Sequence, residues 1–160
     1  MNDEEVLATI GASRARRVLG VAMLGFVGAF SLYVAFSSPP TAAWLAFLLA
    51  VGVGALWQAV RMWQATSHKI ELTLKGLRST DGTVVARMED IESVDRSAFA
   101  FKPSNGFLIK LKEPGMRSWK PGLWWRFGRQ IGVGGVTPVA EGKAMADILK
   151  ALLSGFRPIE

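Results

Sequence analysis

A reaction site in this chain would have to be built around His68, its single histidine, or around the carboxylates of Glu89, Asp90, Glu92 and Asp95. A Ser–His–Asp triad needs that histidine beside a serine on a glycine-rich elbow, and no serine here has such a context. A metal centre needs more than one imidazole and a few carboxylates. His68 falls where a continuous apolar run gives way to an alternating one, which is the place of an interfacial or strand-start residue. Alternation along a short strand sends Asp90 and Glu92 to solvent, opposite Ile91, so the acidic cluster reads as a solvated face, with a cation or a basic partner as its only other use. Gly132-Val133-Gly134-Gly135 lacks the spacing of a dinucleotide fingerprint. Gly142-Lys143 is followed by Ala144 and has no glycine five positions earlier, so it is not a phosphate loop. The absence of cysteine excludes thiolate nucleophiles, thiolate metal sites and disulfides. No catalytic residue, metal or cofactor is expected.

Binding chemistry is better represented. In Arg117-Ser118-Trp119-Lys120-Pro121-Gly122-Leu123-Trp124-Trp125-Arg126-Phe127-Gly128-Arg129, aromatic and basic residues interleave. Aromatic rings favour the interfacial layer of a bilayer, and cations near an anionic leaflet are attracted to it. Arg117, Trp119, Lys120, Trp124, Trp125, Arg126, Phe127 and Arg129 are therefore expected to contact a membrane surface or a membrane partner. The competing reading places Trp119 and Trp124 or Trp125 in the core of a small barrel. Basic and aromatic residues together also stack nucleic-acid bases, but a tethered domain surrounded by anionic lipid is not expected to bind nucleic acid. The chain carries a formal charge of +6. It is concentrated here, where Lys102, Lys110, Lys112, Arg117, Lys120, Arg126 and Arg129 face the single Glu113.

The element that would hold this surface at a membrane lies upstream. Residues 18–36 and 42–60 are two runs of 19 residues without a charge, separated by Ser37-Ser38-Pro39-Pro40. Each spans roughly 28 Å as a helix, close to a bilayer's hydrocarbon thickness. Both are expected to cross a membrane as a hairpin within residues 18–63. Arg14, Arg16 and Arg17 precede the first run, Arg61 and Lys69 follow the second, and the connecting loop is uncharged. That asymmetry puts both termini in the cytoplasm, with residues 1–17 as an N-terminal segment. Trp44, Trp57 and Trp63 sit near the ends of the second helix, as in aromatic belts. The rivals are a signal peptide ending near Ala42-Ala43, for which the first run is long, and a pair of buried soluble helices, which would show a polar stripe. Gly25 and Ala29 in the first helix, and Ala46, Ala50 and Gly54 in the second, recur at four-residue spacing. They are the expected packing positions, either between the two helices or against a larger membrane complex.

From Gln64 to residue 160 the pattern turns to short strands, and this part is long enough for one modest core. Ile70, Leu72 and Leu74 alternate with polar residues. Asp81-Gly82 signals a tight hairpin between residues 77–80 and 83–86. Ile91 and Val94 are core candidates, Lys102 to Gly106 is turn chemistry, and Phe107, Ile109 and Leu111 alternate again. Residues 116–120 read as a strand, 123–127 as an aromatic loop, and 130–136 as a last, glycine-rich strand. Thr137 as N-cap and Pro138 at the first position open a helix over 138–153, with Met145, Ile148, Leu149 and Leu152 on one stripe. The expected class is α+β: about seven strands and one amphipathic C-terminal helix behind the hairpin.

A hairpin followed by a Gly76-Leu77-Arg78 turn, an Asp90-Ile91…Val94 element and a terminal helix resembles the bacterial pleckstrin-homology-like membrane proteins. The resemblance runs from Trp63 to the end. It implies a seven-strand barrel or sandwich capped by a helix, used for binding rather than chemistry, with no shared catalytic set. The expectation is thus a non-enzymatic protein of the bacterial inner membrane whose cytoplasmic domain binds anionic head groups or a larger membrane protein complex, as an accessory subunit, scaffold or assembly factor. The alternative is a small membrane enzyme or transport component whose site a partner completes.

Overall fold

The computed structural model describes residues 5–38, 41–96 and 105–155. Pro39-Pro40, Asp3, Glu4 and the Lys102-Pro103-Ser104 part of the expected turn lie outside the described residues. The order is β1 (Ala8–Ile10), α1 (Arg14–Ser37), α2 (Ala42–Ala65), β2 (Ile70–Thr73), β3 (Gly76–Ser79), β4 (Val84–Arg87), a 3-10 turn (Met88–Asp90), β5 (Ile91–Asp95), β6 (Phe107–Leu111), β7 (Ser118–Lys120), β8 (Trp124–Phe127), β9 (Gln130–Val133) and α3 (Val139–Leu153). The α+β class stands. There are nine strands in the described residues rather than about seven: β1 falls in the expected N-terminal segment and β8 in the expected aromatic loop.

Two antiparallel sheets form, in the orders β1-β2-β3-β4 and β5-β6-β9-β8-β7. They share one core. Ile10, Ile70, Leu72, Leu77 and Val85 enter it from the first sheet, and Phe107, Ile109, Trp124, Ile131 and Val133 from the second. Met145, Ala146 and Leu149 of α3 complete it, and α3 packs against β1, β5 and β6, where the two sheets would otherwise part. This is the stripe expected of the terminal helix. Thr137 is not its cap, however: Pro138 holds the N-cap position, and the fully buried Thr137 contributes its carbonyl to Arg16 instead.

The finding with most bearing on function is β1. It pairs antiparallel with β2, Ala8 opposite Leu72 and Ile10 opposite Ile70. The helical hairpin is therefore an insertion between two neighbouring strands of the domain, not an anchor ahead of it. The chain is tied down on both sides of the insertion. The Ser13 N–H donates to the Val136 carbonyl at 2.8 Å, and the Gly11 N–H to Glu141 Oε2 at 3.1 Å. Arg17 Nη2 donates to the Trp63 carbonyl at 2.9 Å and to Ser67 Oγ at 2.8 Å, with its guanidinium 3.9 Å above the Trp63 ring. This arginine joins the Ser67 and Thr66 hydroxyls in satisfying the Trp63 carbonyl, one of those in the last turn of α2.

Both helices have 24 residues and are long and apolar enough to cross a membrane. At about 36 Å each exceeds a hydrocarbon core by roughly a turn. Their large apolar side chains point outward unshielded, Phe36 being 74% exposed and Phe26 70%. The seam between them is not the expected one. A Cβ on Gly28 would come within 2.6 Å of Leu56, and one on Gly52 within 2.7 Å of Leu32. Each glycine is a hole for the leucine four residues beyond the other glycine. At Gly25 and Gly54 nothing lies within 4 Å, and Ala29, Ala46 and Ala50 are exposed. The five expected positions thus face away from the partner helix. Small residues occupy two faces of each helix, and the closest backbone approach takes the face carrying Gly28 and Gly52.

Candidate functional site

The aromatic stretch folds as a hairpin at the edge of the second sheet. Ser118, Trp119 and Lys120 pair with Arg126, Trp125 and Trp124, and β8 pairs in turn with β9. Successive side chains on a strand alternate faces, which separates the two adjacent tryptophans. Trp124 points inward and is 1% exposed, so it belongs to the core and not to a binding surface. Trp125 lies on the opposite face, level with Trp119. Its indole rests over Gly132, where a Cβ would come within 2.4 Å of the ring. Gly132 in β9 therefore makes room for a tryptophan.

Four of the eight expected residues meet on that outer face. Arg117, Trp119, Trp125 and Phe127 line an open recess of about 350 Å³. Trp119 and Phe127 are 51% and 53% exposed, and the Arg117 guanidinium sits 4.1 Å from the centre of the Phe127 ring. The result is an aromatic shelf carrying one cation.

The remaining cations of the stretch are occupied elsewhere. Arg126 Nε donates to the Met116 carbonyl at 2.6 Å, and its Nη1 to the Val85 carbonyl at 3.4 Å, bridging the second sheet to β4 of the first. The Arg129 guanidinium donates to the Lys112 carbonyl. Lys120 Nζ lies 3.0 Å from Asp81 Oδ2. Partial burial alone would raise the Asp81 pKa, but hydrogen bonds from the Thr83 N–H and hydroxyl, Lys120 and the Ser79 hydroxyl hold its carboxyl well below the usual carboxylate range. Arg126, Arg129 and Lys120 thus join parts of the domain, and Trp124 fills its core.

The shelf borders the base of the helical hairpin. The turn between β7 and β8 carries Gly122, where a Cβ would meet Thr66 Cγ2 at 3.0 Å and Met62 Cε at 3.3 Å, both from the end of α2. On its other side the Gly122 carbonyl accepts from the Val136 N–H at 3.1 Å. Trp119 and Trp125 lie only a few residues along the strands from this contact, and Arg117 and Phe127 lie at the far end.

The other candidates resolve simply. His68 is half-buried at the junction of α2 and β2. Glu89, Asp90, Glu92 and Asp95 are exposed, Glu92 3.0 Å from Lys110 and Glu89 3.6 Å from Arg87. Among the described residues no group of three or more His, Asp or Glu side chains is placed to hold a metal. Gly142 packs on the Asn105 carbonyl, which a Cβ would approach to 2.7 Å. The chain matches no known family model, no curated protein and no solved structure.

Proposed function

We propose that the chain is a non-enzymatic docking module of the bacterial inner membrane. In this reading α1 and α2 span the bilayer, both termini are cytoplasmic, and the outer face of the β7–β8 hairpin binds the adjoining membrane surface. The orientation rests on Arg14, Arg16, Arg17, Arg61 and Lys69, all at the domain end of the helices. The pleckstrin-homology-like reading of the domain draws support from two antiparallel sheets around one core with a helix over their junction.

The observation that carries the proposal is the outer-face shelf of Trp119, Trp125, Phe127 and Arg117, whose Trp119–Trp125 end runs toward the β7–β8 turn at the base of α2. Half-exposed aromatics with a cation suit a layer that is wet on one side and apolar on the other. Confinement to the membrane lets such a weak contact act at high effective concentration. A photo-crosslinking side chain at Trp119 or Phe127, activated in native membranes, should give lipid adducts well above those from a control at Lys143 on α3. Yields no higher than the control would sink the membrane-surface reading.

A second reading, a subunit of a larger membrane complex, is favoured by the outward faces of the hairpin. Gly25, Ala29, Ala46, Ala50 and Gly54 leave room there for close approach by another helix. Migration on a native gel after mild extraction, far above the 17.4 kDa of one chain, would support it.

A further inference from the structure

Between the last turns of α2 and the β7–β8 turn is an open cleft of about 440 Å³, lined by Arg61, Gln64, Ala65, His68, Lys120 and Pro121. Trp57, Arg61 and Gln64 follow one another at spacings that keep them on one side of the helix, and His68 comes just after its end. Arg61 is the first charge after the apolar run of α2. Its guanidinium lies 5.2 Å from the Trp57 ring, and among the described residues no carboxylate pairs with it. Across the cleft, Lys120 is held by Asp81 at 3.0 Å, and an ammonium has three donors, so its position is fixed while donors remain for a ligand. Gln64 and His68 add further hydrogen-bonding groups to the same lining. Below the cleft the polar stripe changes abruptly: Trp57 and Val60 are large, apolar and more than half exposed.

A compact anion bearing an apolar tail matches this sequence of surfaces. We infer that the cleft is a phospholipid site: the phosphate is bound between Arg61 and Lys120, Gln64 and His68 donate to its oxygens, and the acyl chains run along α2 past Val60 and Trp57. The inference rests on the reading that α2 spans the bilayer, which sets the cleft at head-group depth. It involves different residues from the aromatic shelf. Inorganic phosphate shares the charge but not the tail, and so lacks the contacts along α2.

The test is native mass spectrometry of the full chain, extracted in mild detergent and titrated with phosphatidylglycerol. Arg61→Gln should weaken lipid binding on the order of tenfold, and Arg61→Gln with Lys120→Gln should weaken it further, while Lys143→Gln on the exposed side of α3 leaves it unchanged. Among the described residues Arg61 has no structural partner beyond Trp57, so the single variant reads the site even where loss of the Lys120–Asp81 pair disturbs the fold. Millimolar glycerol 3-phosphate or inorganic phosphate should not displace the lipid; displacement by either would make this a soluble-phosphate site and overturn the inference. Equal binding by Arg61→Gln and the parent chain would also overturn it. Carbonate extraction separates the two readings. A chain that stays in the membrane but binds no lipid refutes the cleft alone, whereas a chain washed out by carbonate refutes both.

Discussion

Ile10 lies directly opposite Ile70 in the first sheet, although the entire helical hairpin separates them along the chain. Both are buried in the shared core. A fragment beginning at Gln64 therefore lacks one edge of the sheet and one wall of the α3 contact. Such a fragment is expected to aggregate or to melt without a sharp transition. In the full chain, Ile10→Ala should cost about 2–5 kcal/mol, the range for emptying a buried isoleucine position. Thermal unfolding of the detergent-solubilised chain checks it, and a melting temperature equal to the parent's would contradict the placement of β1.

The two neighbouring tryptophans should separate sharply on substitution. Trp124→Ala removes a fully buried indole and should destabilise by about 3–5 kcal/mol. Trp119→Ala loses mainly its cross-strand contact with Trp125, worth about 1 kcal/mol or less. Denaturant titrations of the two variants decide this, and similar losses would refute the alternation assigned to β8.

Gly132→Ala drives a methyl into the Trp125 ring, and overpacking of this kind costs about 1–3 kcal/mol. The cost should largely vanish in a Trp125→Ala background, because the ring is what the methyl meets. A double-mutant cycle measures the coupling. Additive losses would mean that the indole does not sit on β9.

In the hairpin, Gly28→Val and Gly52→Val should each destabilise by about 1–3 kcal/mol, since the added side chain meets the facing leucine and comes within 3.0 and 3.2 Å of the opposite backbone carbonyl. Gly25→Val and Gly54→Val, with open space around them, should stay within about 0.5 kcal/mol in the isolated protein. The same two substitutions lower recovery of any complex that packs on the outer faces. Melting in micelles and native gels of membrane extracts read the two effects separately.

Asp81 sets a pH dependence. Its carboxyl titrates lower in the folded chain than in the unfolded one, where about 3.9 is usual. The native state is therefore stabilised by the charged form above about pH 4, and this stabilisation is lost as the pH falls toward the folded value. Asp81→Asn should be less stable than the parent at pH 7, with the difference shrinking below pH 4. A gap that stayed constant down to pH 2 would show that the carboxylate charge is not what matters.

Periodicity made much of this architecture legible. The uncharged runs, the alternation at Ile70–Thr73 and Phe107–Leu111, and the stripe through Met145 and Leu149 each repeat often enough to identify an element. What escaped was short or depended on a distant partner. Ala8–Ile10 has three residues, and its strand character comes from pairing with a segment beyond the hairpin. Trp124–Phe127 is aromatic or basic throughout, so only the register with β9 reveals which tryptophan turns inward. The binding residues inferred from composition divided for the same reason. Aromatic and basic content marked the segment, whereas the destinations of Lys120 and Arg126 depend on Asp81 and on the Met116 and Val85 carbonyls.

The insertion of the helices between β1 and β2 also imposes an order on synthesis. Ala8–Ile10 leaves the ribosome before either helix, and its neighbour emerges only after both have been made. With the hairpin spanning the bilayer as proposed, the nascent strand would wait, unpaired, until the helices had entered the membrane and returned the chain to the side it left. In that arrangement closure of the domain would double as a check on integration: a polypeptide whose helices failed to insert as a pair would keep β1 and β2 on opposite sides of the membrane or out of reach, and would remain open to degradation.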